Sequence, residues 1–85
     1  MSNVPQHTLE ALNRYVEHGL EPGSFLMSVL CNDLFGAVSR ADTTNLLFLK
    51  DICMYVHWEI PANCWGNENK VHAHMKKVRS EPLTN

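Results

Sequence analysis

The chain has 85 residues, 45% of them hydrophobic and 19% charged, with a formal net charge of −2. That length makes one domain, and that apolar share excludes a disordered chain. A pI near 6.2 argues against a protein devoted throughout to nucleic-acid backbone. The longest apolar runs are only a few residues and no signal-peptide core opens the chain, so neither a bilayer span nor secretion is expected. Three cysteines at no repeating spacing argue against a disulfide scaffold and for a reducing cytoplasm. A core this small is marginal. Ordering costs about 1.5 kcal/mol per residue and burial at about 25 cal/mol per Å² roughly cancels it, which favours self-association.

Met1 to Gln6 reads as a frayed lead-in. Leu9, Leu12, Val16 and Leu20 then recur on one helical face, with Glu10 and Arg14 as an i,i+4 pair on the other side. Gly19 suits the left-handed residue that ends a helix, so the first helix is expected over 8–18. Pro22 and Ser24 punctuate the start of the next element. Phe25, Leu26, Val29, Leu30, Leu34, Phe35 and Val38 form one broad stripe, which predicts a second helix over 24–40. Asp42 or Thr43 is suited to cap a third helix, and Pro61 stops it. Within it Leu46, Leu49, Cys53, Val56 and Ile60 follow the spacing of a packing seam. Phe48, Ile52 and Tyr55 make a second apolar line, and Leu47, Met54 and Trp58 carry it round the cylinder. A more polar last helix is expected over 67–79, with Val71, Met75 and Val78 inward, and Ser80 to Asn85 as a loose tail. No strand pattern competes anywhere. The expected architecture is all-α, a single helical domain of three to four helices with a long central hydrophobic one and an ordered part of about 8–79.

The third helix is apolar on more than one face. Either it is the central helix of a cluster, or one face meets a second copy or a foreign protein. Met, Trp, Tyr and Phe are enriched at interfaces, so Phe48, Ile52, Tyr55 and Trp58 are the expected partner or oligomer contacts. A second candidate is a small polar pocket in which Asn32, Arg40 and Asn45 take an anionic group, arginine supplying a bidentate fork. Helix capping around the turn explains the same residues.

Metal and catalytic signals are weak. Cys64, His72 and His74 lack the paired spacing of a zinc site, and the two histidines point about 200° apart on a helix. No Gly-x-Ser-x-Gly elbow, phosphate loop or His-Glu-x-x-His occurs, and nothing in the spacing selects a histidine for Cys64. No catalytic residue, metal or cofactor is expected. Charge is uneven. Residues 1–69 hold Arg14, Arg40 and Lys50 against eight acids, whereas residues 70–85 hold Lys70, Lys76, Lys77 and Arg79 against Glu81. That end reads first as a solvated basic face, and otherwise as a contact for phosphate or for the acidic remainder of a neighbouring copy.

The succession Arg14-Tyr15-Val16-Glu17-His18-Gly19, Pro22-Gly23-Ser24-Phe25-Leu26, Val29-Leu30-Cys31-Asn32-Asp33-Leu34, Arg40-Ala41-Asp42 with Asn45, and Cys64-Trp65-Gly66 with Val71 resembles a group of small phage and prophage proteins. The resemblance spans roughly residues 14–74. It implies a setting, the host bacterial cytoplasm during infection or lysogeny, and no mechanism. This chain has His74 where members of the group often end the last helix with Trp. Small phage accessory proteins act by binding. The leading expectation is therefore a non-catalytic, self-associating phage protein that blocks a host or defence protein. Behind it stand an oligomeric sponge for a small anionic nucleotide signal and a small DNA-binding regulator using the basic last helix.

Overall fold

The computed structural model describes residues 4–80; of the expected loose ends at 1–6 and 80–85, residues 1–3 and 81–85 lie outside them, and Ser80 closes the last helix. Among the described residues there are six α-helices, one 3-10 turn and no strand. They are α1 (Gln6–His18), α2 (Ser24–Leu30), α3 (Leu34–Arg40), α4 (Thr43–Leu47), α5 (Leu49–Glu59), the 3-10 turn (Ala62–Cys64) and α6 (Glu68–Ser80). The all-α expectation holds, and the division into helices is finer than the sequence suggested.

The start of the chain is better anchored than expected. Gln6 already belongs to α1, and Val4 is buried with the core. At the other end of α1, Gly19 takes φ 67, the left-handed geometry that a terminal glycine supplies without a Cβ penalty. It is also a point of close approach. A Cβ there would lie 3.0 Å from the Met75 carbonyl oxygen, so glycine lets α1 end directly against α6.

The expected helix over 24–40 is broken at Cys31–Asp33, and the break has a local cause. Asn32 adopts φ 62, its N–H donates to the Val29 carbonyl at 3.1 Å, and the Asp33 N–H donates to the Ser28 carbonyl at 2.8 Å. This pair of backward bonds is the left-handed helix stop in which asparagine substitutes for glycine. The Asp33 carboxylate then accepts the Gly36 N–H at 3.0 Å and caps α3. One helix ends and the next begins within three residues. Asp42 caps α4 in the same way, accepting the Asn45 N–H at 2.7 Å. The expected long central helix is likewise interrupted at Phe48, whose φ of −107 and ψ of 17 separate α4 from α5. Pro61 ends α5 as expected, with Ile60 extended before it.

Leu12, Tyr15, Leu30, Ile52, Val56 and Val71 are fully buried and form the centre of one core drawn from α1, α2, α5 and α6. Ala37 is the buried residue of α3, which folds back on α2. The Gly66 N–H donates to the Leu30 carbonyl at 2.7 Å and fastens the loop before α6 to the end of α2.

Candidate interaction surface

Breaking the second stripe at Asn32 changes which apolar residues find the core. A straight helix over 24–40 would keep seven apolar side chains in register. The reversal instead leaves Leu34, Phe35 and Val38 of α3 in solvent, Phe35 at 84% exposure. Leu46 and Leu47 of α4 and Met54 and Trp58 of α5 are exposed too, Leu47 at 73% and Trp58 at 70%. Large apolar groups scattered singly are ordinary on a protein surface. Seven on three consecutive short helices are a patch candidate of the kind that marks an interaction site. An apolar cleft of about 70 Å³, lined by Val29, Leu34, Ala37, Leu49 and Cys53 among others, joins the α3 side of this surface to α5.

The four contacts expected from the sequence divide here. Trp58 is exposed. Phe48 and Tyr55 are half-buried and pack against the core, and Ile52 is fully buried inside it. Ile52 is therefore corrected from interface to core. Of the expected seam, Val56 and Ile60 are buried and Leu49 and Cys53 are half-buried against the core, while Leu46 is exposed; Ile52, one turn before Val56, joins that inward side.

The expected polar pocket does not assemble. Asn32 lies at the 70 Å³ apolar cleft. Asn45 borders a separate hollow of about 260 Å³ with His7, Thr8 and Pro22. Arg40 reaches back to α2, its Nη1 donating to the Ser28 hydroxyl at 3.2 Å. It sits in an open cleft of about 390 Å³ beside Glu21, Asp33 and Glu68. Three carboxylates against one guanidinium and His72 make that cleft a poor receptor for an anion. The capping explanation of Asp33 and Asp42 accounts for this stretch.

A polar cluster that spacing did not select joins α1, the 3-10 turn and α6. The Tyr15 hydroxyl donates to the Cys64 carbonyl at 2.6 Å. His74 Nε2 lies 3.2 Å from the Tyr15 carbonyl oxygen and 3.1 Å from that of Val16. Carbonyl oxygens only accept, so Nε2 carries a proton, and in the neutral imidazole Nδ1 is then the acceptor. The Cys64 Sγ is 3.4 Å from that Nδ1. Burial pushes the Cys64 thiol up, against a smaller downward pull from Lys77, so at neutral pH the S–H donates to the imidazole. Burial, followed by the neighbouring Cys64 and Cys31, holds the Tyr15 phenol far above its ordinary range. Three residues thus close a ring of hydrogen bonds, with Tyr15 and His74 rings 4.9 Å apart. His72 points away, exposed and 3.8 Å from Glu68. Among the described residues no three His, Cys, Asp or Glu side chains gather as a metal site.

No protein-family model, curated protein or solved structure matches the chain.

Proposed function

We propose that this chain is a non-catalytic, phage-encoded docking protein that works in the host bacterial cytoplasm. It associates with itself and blocks a host or defence protein through the apolar surface of α3, α4 and α5. The observation that carries this reading is the exposure of Leu34, Phe35, Leu47 and Trp58, all above 60%, on a chain of 85 residues. Fully burying one such side chain is worth about 1.5–3 kcal/mol. Four together are comparable with the roughly 4–15 kcal/mol that association costs. The phage setting rests on the resemblance in the motif succession.

The test exploits the fact that these side chains contribute little to the protomer core. Phe35→Asp and Leu47→Asp are expected to keep the helical circular-dichroism signal. They are also expected to reduce the sedimentation mass to that of one 9.7 kDa chain and to abolish capture of any partner held by the native protein. A native chain that sediments as a single copy at high micromolar concentration, together with capture indifferent to both substitutions, overturns the proposal.

A further inference from the structure

The cations of α6 are not spread at random round the helix. Val71 is fully buried, and His74, Met75 and Val78 are half-buried, which fixes the inward side. At about 100° per residue, Lys70 and Lys77 fall along one margin of the exposed face, and Arg79 and His72 along the other. The two margins stand roughly 160° apart. Lys76 lies just inside the second margin, and Asn69 and Ala73 occupy the middle. Of the eight exposed residues of this face, the seven other than Glu68 are neutral or cationic. Beside the second margin His72, Met75, Lys76 and Arg79 line an open hollow of about 480 Å³.

We propose that α6 is a duplex nucleic-acid surface, its two cationic margins straddling a groove and meeting the phosphates of both walls. The dimensions agree. A helix with its side chains is about 10–12 Å across and the DNA major groove is about 12 Å wide. Lys70 and Lys77 stand about 10.5 Å apart along the axis of α6. The short side chains of the middle let the helix approach base edges, where asparagine can pair with adenine and alanine can touch a thymine methyl. An anionic membrane is the poorer partner, because a helix lying on lipid must insert its apolar side. That side of α6 is already committed to the core through Val71. The acidic remainder of the chain turns α6 toward the polyanion and holds the other faces away. This inference is independent of the apolar docking surface.

The experiment is fluorescence anisotropy of a labelled 20-base-pair duplex against the intact chain, from 50 to 200 mM salt. With four phosphate contacts the slope of log K on log salt is expected near −3.6, roughly a 150-fold loss across that range. Lys70→Gln with Lys77→Gln, and separately Lys76→Gln with Arg79→Gln, are each expected to flatten the slope by about 1.8 and to keep native helicity. Phe35→Asp is expected to leave duplex binding intact, which separates this test from that of the docking surface. No duplex binding at 50 mM salt overturns the inference. So do slopes unchanged in both double variants, or equal affinity for single strands or anionic vesicles.

Discussion

Replacing Tyr15 by Phe removes one oxygen atom and tests whether the ring of Tyr15, Cys64 and His74 holds the molecule together. The ring system stays in place, so the apolar packing of a fully buried side chain is conserved. What is lost is a 2.6 Å hydrogen bond, and the Cys64 carbonyl that accepted it is left facing a hydrocarbon edge. A buried polar group deprived of its partner costs about 1–3 kcal/mol. Domains of this size have a total stability of about 4–13 kcal/mol at 0.05–0.15 kcal/mol per residue. The substitution therefore removes a substantial fraction of it. In a domain of 60–100 residues each kcal/mol moves the melting temperature by about 4–8 °C, so a fall of about 4–24 °C is expected. The assay is thermal unfolding followed at 222 nm, with urea unfolding to confirm an unchanged m-value. Amide exchange supplies the spatial check, because protection should fall in α6 and at the C-terminal turn of α1 together. A melting temperature within 1 °C of the native value would refute the claim that this bond fastens the 3-10 turn to α1.

Three other outcomes are expected. Asp33→Ala and Asp42→Ala should each cost about 1 kcal/mol in urea unfolding, since each carboxylate caps a short helix. Ile52→Ala should cost about 2–5 kcal/mol, whereas Phe35→Ala should stay within about 0.5 kcal/mol when measured on dissociated chains, and equal costs would contradict the division between core and surface. Burial raises the thiols of Cys31, Cys53 and Cys64 above their ordinary value of 9.0 and the Tyr15 phenol above 10.0. Their folded-state pKa values thus exceed the unfolded ones, so the stability they contribute is complete below pH 9 and drains away as pH climbs beyond it; a melting temperature constant from pH 8 to 10.5 would contradict this.

The features legible in the sequence are those with local causes. Gly19, Asp42 and Pro61 each end or begin a helix by a mechanism confined to one turn, and each is found in that role. The break at Asn32 was hidden because a polar residue on the far side of an apolar stripe looks the same in a continuing helix. Only its positive φ and the cap that Asp33 places on the Gly36 N–H reveal the reversal. The same break decides the candidate surface. Phe35 and Leu34 are exposed because α3 turns back on α2, a tertiary fact that no periodicity contains. On α5, apolar on several sides, the sequence identified Trp58 but offered no means of telling Ile52 from a surface residue. His74 found Cys64 across ten residues and Tyr15 across fifty-nine, separations at which spacing carries no information.

The hydrogen-bond ring also bears on how the protein is made. Its first member is Tyr15 and its last is His74, so the knot that ties α1 to α6 cannot close until the chain has been made through His74. None of the six helices exceeds 13 residues, a length at which isolated helices are barely stable in water. A ribosome partway along this chain therefore releases segments with little structure of their own, and folding is deferred until α6 has emerged.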